Sequence, residues 1–294
     1  MRLFAPARVF PGTPFYSTDD DAPFDLGPAI GEGSFARVVV ATARDGSRSA
    51  AKIFRRRAYV DDNSTLVLPR SVAALREECA VARLVGGQHH CVAWKGFHET
   101  PSRLLCLYEL CDGSLDEMLG PTRVADDLAR RLAAGLLDAL AWCHACRVAH
   151  RDVKPENVLL AAGDVRLADW GSARRPGASS FGADEVSGFW AAPEVLRGLS
   201  QNDIAAAART DDWAAGLVIL ALVAGNPSDD DVRALHGGGL DALPGDRLED
   251  ASGDARAVSE ELVQPDPVRR ATARDALALA WFDECRVLGS RGSL

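Results

Sequence analysis

The sequence predicts an α+β chain in two unequal lobes, a small β-rich one followed by a larger and mostly helical one. Three observations carry this. Phe35–Thr42 and Arg48–Phe54 are strand-like and flank an Asp45-Gly46 turn, the composition of a hairpin. Leu128, Leu132, Leu136, Leu140 and Cys143 recur at helical spacing and make one apolar face. Ala214–Ala224 is apolar all round, as a helix buried at the centre of a lobe would be.

The remaining elements follow in chain order. Ser71–Val85 is rich in helix formers and charge, and predicts the main helix of the first lobe. Leu104–Leu110 is an apolar, strand-like run, and Asp112-Gly113 breaks it. That break marks a hinge at about 109–113, between a first lobe over 24–110 and a second over 114–285. Short strands are predicted around Val158–Leu160 and Val165–Leu167. Gly237–Gly253 is polar and Gly-rich and reads as loops and short helices, and Ala271–Phe282 reads as a final helix. Met1–Thr18 carries Arg2 and Arg8 and no acid, but Pro6, Pro11 and Pro14 disfavour an amphipathic helix. Residues 1–23 are therefore expected to be a disordered tail, with a second tail over 286–294.

Composition narrows the class. A chain of 294 residues can bury roughly 75% of its unfolded surface and needs no staples. Its 33 basic and 42 acidic residues give a net charge of −9, which argues against nucleic-acid or anionic-membrane binding. Seven cysteines without a regular framework suggest reduced thiols and an intracellular, cytoplasmic setting. Cys143 and Cys146 form one C-x-x-C. No second half completes a zinc set, so they read as small residues on a buried helix. No apolar run reaches the ~18 residues of a membrane span.

Chemistry enters at a few motifs. Gly31-Glu32-Gly33-Ser34-Phe35-Ala36-Arg37-Val38 lies where two strands would meet, and glycines let backbone N–H groups approach phosphates. Lys52 shares a strand face with Ala50 and Phe54. His150-Arg151-Asp152-Val153-Lys154-Pro155-Glu156-Asn157 is followed by Asp169-Trp170-Gly171 and then Ala192-Pro193-Glu194. Each tripeptide alone is common, but their co-occurrence in this order is not.

With these motifs the chain resembles the eukaryotic protein kinase family, serine/threonine type, from about Phe24 to Phe282. The resemblance implies the two-lobed kinase fold and transfer of the γ-phosphate of ATP, with Mg²⁺, to Ser or Thr hydroxyls of a protein substrate. It also implies roles. Gly31, Glu32, Gly33, Ser34 and Phe35 would cover the phosphates, Val38 and Ala50 would roof the adenine, and Leu159 would floor it. Glu109 to Cys111 would bond the adenine through backbone, beside Tyr108, whose bulk restricts a back pocket. Lys52 would hold the α- and β-phosphates. A carboxylate from the first helix must orient it. Glu77 is the choice, because Val81 and Leu84 then fall at i+4 and i+7, and Glu78 is the alternative. Asp152 would take the hydroxyl proton, Lys154 would steady the moving phosphate, and Asn157 and Asp169 would hold Mg²⁺.

Other matches are structural. Glu194 and Arg270 would form a buried ion pair, and Asp211 would anchor the catalytic loop. Val81, Trp94, His150 and Trp170 would stack as an apolar spine, with His144 a packing residue. Departures from the family pattern are Ala36 for a glycine, Trp170 for a Phe, Ser187 for a Thr, Trp190 for a Tyr and Ala214 for a Ser. None removes a phosphate, metal or proton-transfer group. Lys154 is the serine/threonine type of loop residue, and Glu156 without an acid at Ala221 implies a mild basic preference. Arg151 implies control by negative charge on the loop before Glu194. Asp184 and Glu185, or a modified Ser179 or Ser180, could supply that charge to Arg151 and Arg174, and a solvated acidic loop is the equal alternative. The rival readings are a pseudokinase scaffold and a small-molecule phosphotransferase of related fold; the chain is expected to act as a monomer.

Overall fold

The computed structural model describes residues 24–32, 36–55, 59–60, 66–67, 72–99, 103–120, 122–176, 188–198, 203–249 and 251–285. The expected tails, Gly33–Phe35, Ser179, Ser180, Asp184, Glu185 and Ser187 lie outside these residues.

The first lobe is built on β1 (Phe24–Glu32), β2 (Ala36–Ala43), β3 (Arg48–Arg55), the short pair β4 (Tyr59–Val60) and β5 (Leu66–Val67), α1 (Val72–Val85), β6 (Trp94–Glu99) and β7 (Arg103–Tyr108). Five strands form one antiparallel sheet in the order β1-β2-β3-β7-β6. Direct cross-strand partners share a face. Val38, Lys52 and Cys106 are aligned in this way, as are Val40, Ala50 and Tyr108. The opposite face carries Val39, Ala41, Ala51, Ile53, Leu105 and Leu107 as a separate apolar cluster with Ala29. Strand alternation thus decides that Lys52 faces α1, where Phe54, Leu75, Cys79, Leu104 and Cys106 pack together. The Asp45-Gly46 turn forms as expected: Asp45 Oδ1 accepts the Ser47 N–H at 2.9 Å, and Gly46 takes φ +82°.

The second lobe begins with β8 (Gly113–Ser114) and α2 (Leu115–Met118), followed by α3 (Asp126–Ala145), β9 (Val158–Ala161) and β10 (Asp164–Leu167). The three strands pair in the order β10-β9-β8. Then come α4 (Pro193–Leu196), α5 (Ile204–Ala224), α6 (Asp229–Gly238), α7 (Gly253–Leu262) and α8 (Ala273–Ala276). Leu132, Leu136, Leu140 and Cys143 of α3 are buried, as their spacing predicts. α5 is buried continuously from Thr210 to Val223 and is the axis of the lobe. A Cβ on Gly216 would lie 2.8 Å from the Cβ of Leu262, so only glycine lets α7 pack this closely on α5. Among the described residues no helix is long and apolar enough to cross a membrane.

One reading changes. Ala271–Phe282 is not one helix: α8 ends at Ala276, Leu279 is extended (φ −70°, ψ 156°), and a 3-10 turn covers Ala280–Phe282. The break lets Trp281 and Phe282 both reach the core, where a continuous helix would splay adjacent side chains about 100° apart. The Gly-rich stretch between α6 and α7 holds two 3-10 turns, Gly239–Ala242 and Gly245–Leu248, the loops and short helices expected of it. The capping box of Ser228 and Asp231 was a sequence signal for α6.

Glu194 and Arg270 meet as expected. Arg270 Nη1 and Nη2 donate to Glu194 Oε1 and Oε2 at 2.7 and 2.9 Å, both side chains being buried. The guanidinium also donates to the carbonyls of Gln264 and Arg209, and lies 5.2 Å from the Trp213 ring centroid. Arg270→Ala strands a buried carboxylate, and chemical denaturation should record a loss of about 3–5 kcal/mol.

Candidate active site

Lys52 is one point where the two lobes meet. β3 delivers its side chain to the α1 face, 14% exposed. Its Nζ donates to Glu78 Oε1 at 2.8 Å and to Asp169 Oδ1 at 2.7 Å. Burial alone would lower the ammonium's pKa, but the two carboxylates more than reverse that and leave it above the ordinary lysine value. Asp169 is the mirror case. Desolvation would raise it, but Lys52 and the N–H of Gly171 hold it well below the usual carboxylate range. Asp169 sits at φ +64°, a sparsely populated conformation for a residue with a side chain, directly after β10.

The expectation that Glu77 orients Lys52 is corrected. Glu78 makes that contact, and Glu77 pairs with Arg175. The error lay in the phase of α1. Leu84, taken as an inward residue, is 48% exposed, whereas Ala82 and Val85 are fully buried. These stand at i+4 and i+7 from Glu78, so the inward stripe belongs to Glu78.

The loop that carries Asp152 is held from below. Asp211 of α5 accepts the N–H groups of His150 and Arg151, at 2.8 and 2.6 Å. His144 of α3 approaches the same carboxylate, Nε2 to Oδ2, at 3.0 Å. It is therefore a polar support and not the packing residue the sequence suggested. Neighbouring Asp212 accepts the Ala273 N–H at 2.8 Å, and burial pushes its carboxyl up to about 6. With its backbone pinned, Arg151 takes φ +69°. His150 is buried, with Nε2 2.9 Å from the Ala168 carbonyl and Nδ1 3.3 Å from the Asp152 N–H. Its ring meets that of Trp170 edge-on at 5.1 Å. Val81 and Trp94 join the same apolar cluster, so the expected spine is present and Trp170 lies inward.

Asp152, Lys154 and Asn157 converge on the loop. Lys154 Nζ lies 3.0 Å from Asp152 Oδ1 and 2.8 Å from Oδ2. The Asn157 amide nitrogen donates to the Asp152 carbonyl at 2.8 Å and to its Oδ2 at 2.9 Å. The Asn157 amide oxygen is thus left for another partner. The donor set fits a hard divalent cation. The Lys52 and Gly171 bonds to Asp169 both fall on Oδ1, leaving Oδ2 of this 43% exposed side chain for a ligand. Among the described residues there is no cluster of three or more His, Cys, Asp or Glu able to hold a metal alone. Such a cation would need oxygens from its substrate as well.

The other described residues of the expected site lie on β1, β2, β3, β9 and the hinge. Gly31 and Glu32 end β1, and Glu32 pairs at 3.0 Å with Arg37 across the strand junction. Val38 and Ala50 share the Lys52 face, and Leu159 is half-buried on β9. Glu109 follows β7; its side chain accepts from the Ala93 N–H at 3.1 Å and meets Arg166 at 3.3 Å, which turns its carboxylate to the far side of the hinge. Cys111 is half-buried, and burial pushes its thiol up to about 12. The Tyr108 hydroxyl is buried without a partner among the described residues.

The architecture is bilobal, a β-rich lobe before a mostly helical one. Residues 24–282 match the family model for the protein kinase domain, and the chain belongs to that family. It is 34% identical over 218 residues to CBL-interacting protein kinase 4 of Oryza sativa subsp. japonica, covering 70% of this chain and 46% of that protein. It is 28% identical over 268 residues to CBL-interacting serine/threonine-protein kinase 8 of Arabidopsis thaliana, covering 88% and 57%. Serine/threonine protein kinase OSK3 of Oryza sativa subsp. indica is 29% identical over 269 residues, covering 88% and 50%. The chain spans about half the length of the curated relatives it matches.

The His144 support titrates. Burial would lower its pKa, but the hydrogen bond and charge of Asp211, with Asp212, raise it above 6.5, against a smaller opposing effect of Arg209. A histidine with a raised folded pKa adds stability that is complete below 6.5 and is lost as pH rises through the folded value. His144→Asn should therefore reduce the fall in unfolding free energy between about pH 6 and about pH 8, read by urea titration at both values.

Proposed function

We propose that this protein is a serine/threonine protein kinase that transfers the γ-phosphate of Mg-ATP to hydroxyls of protein substrates. The observation that carries the reading is the pairing of two centres. Lys52 on the first lobe is held by Glu78 and Asp169, and the Asp152–Lys154–Asn157 cluster is pinned to α5 in the second. Phosphoryl transfer is mainly a matter of positioning and charge neutralisation, and these are the groups it requires.

Each residue has a task its surroundings support. Lys52 stays cationic because two carboxylates raise its pKa, so it can neutralise the α- and β-phosphates. A magnesium ion bound at Asp169 and Asn157 would offset phosphate charge during transfer. Asp152 accepts the proton of the attacking hydroxyl, and the Asn157 amide and Lys154 ammonium hold its carboxylate at one angle. Lys154 also lies where it can steady the transferring phosphate. Gly31 to Phe35, with Val38, Ala50, Leu159 and the backbone of Glu109 to Cys111, bind the nucleotide. Trp170, packed inward on His150, keeps Asp169 beside Lys52. Glu156 is exposed beside Asp152, and Ala221 is buried in α5. One surface acid supports a mild preference for basic residues around the acceptor.

The test is transfer of labelled γ-phosphate from Mg-ATP to a degenerate Ser/Thr/Tyr peptide library, run beside Asp152→Asn. Labelling should fall on Ser and Thr and drop about 10²–10⁴-fold in the variant. Equal labelling by both proteins, or none by either without nucleotide binding, would overturn the reading.

A further inference from the structure

Glu77 and Arg175 are not used by the chemistry above, yet they form a two-point ion pair. Arg175 Nε lies 2.5 Å from Glu77 Oε1, and Nη2 lies 2.9 Å from Oε2. The side chains are 39% and 23% exposed. The pair joins segments 98 residues apart, α1 and the stretch that follows Asp169. That stretch is anchored at its other side. Arg174 exchanges two backbone hydrogen bonds with Ala149, at 2.8 and 2.9 Å, beside the catalytic loop. The Trp170–Ser172 turn just before it packs on α1. Arg175 is thus presented to α1 from a backbone already tied to the loop that carries Asp152.

The geometry on α1 gives the pair its consequence. Glu77 and Glu78 are consecutive, so their side chains leave the helix about 100° apart. Glu78 reaches Lys52 on the sheet, and Glu77 reaches Arg175 on the second lobe. A single contact would stop α1 from moving away but leave it able to roll. Two contacts at different azimuths fix its rotation as well. The bidentate guanidinium–carboxylate fork is directional, which a lysine's point charge would not be.

We propose that Arg175 is a positioning residue: through Glu77 it sets the rotation of α1, and so keeps Glu78 on Lys52 whenever the segment after Asp169 is docked on the catalytic loop. This rests on the kinase reading for its effect on rate, but not for its effect on the helix.

The experiment compares the parent chain with Arg175→Gln, Glu77→Gln and the charge-exchanged double variant Glu77→Arg with Arg175→Glu. Two readouts are taken: amide hydrogen exchange of Val72–Val85, and kcat and KM for Mg-ATP with a peptide acceptor. Each single variant should speed exchange across α1 and lower kcat/KM about fivefold. The exchanged variant should recover both, which a residue needed only for folding would not allow. Single variants that leave α1 exchange at the parent level overturn the proposal, as does an exchanged variant that fails to restore protection. A parent that transfers no phosphate, but whose α1 protection still follows the pair, overturns the kinase reading and upholds the helix positioning.

Discussion

One cation organises the centre of this molecule. Lys52 is largely removed from water, and a buried ammonium persists only with opposing charge close by. The two carboxylates that supply it come from 26 and 117 residues further along the chain. Glu78 can reach only if α1 lies on the sheet in the right phase. Asp169 can reach only if the second lobe presents the end of β10 in a left-handed conformation. Satisfying one charge therefore sets the relation of sheet, helix and second lobe together. The strained backbone at Asp169 is held by the Lys52 contact and by the Gly171 N–H.

A second charge does for the loop that carries Asp152 what Lys52 does for the sheet and α1. Asp211 is fully buried in α5 and would be costly there without donors. The N–H groups of His150 and Arg151 and the ring of His144 provide them. Because α5 is buried continuously from Thr210 to Val223, its carboxylate is a rigid point of reference. The loop that carries Asp152, Lys154 and Asn157 is hung from it. The bridge from Ala149 to Arg174 then passes that rigidity to the segment after Asp169, and Arg175 passes it to α1. Sheet, helix and loop are linked in a closed circuit of polar contacts, while the large apolar cluster around α3 and α5 supplies most of the stability.

Much of this was legible beforehand. The hairpin of β2 and β3, the inward face of α3, the buried run of α5 and the Glu194–Arg270 pair follow from local pattern or motif. The structure also joins Lys52 to Asp169 and gathers Asp152, Lys154 and Asn157 on one loop. The failures share a cause. Glu77 and Glu78 are chemically identical neighbours, and an apolar residue lies at i+4 and i+7 from each, so periodicity alone could not choose. The choice was made by burial, which exposes Leu84 and sequesters Ala82 and Val85. The supposed final helix broke because Trp281 and Phe282 both had to be buried. His144 was read as packing because nothing local announces a carboxylate 67 residues away.

By itself the sequence determined which residues were available: the order of strands and helices, the glycines at the turns, the acids and bases of the two motif blocks. Those depend on covalent order and on periods of two and 3.6, which are properties of a chain segment. The tertiary structure alone decided which of two adjacent glutamates faces Lys52, which histidine supports Asp211, and that Arg175 reaches across to α1. Each of these depends on the direction of a side chain relative to an element distant in sequence. That direction exists only once the apolar faces have packed and set the rotation of every helix.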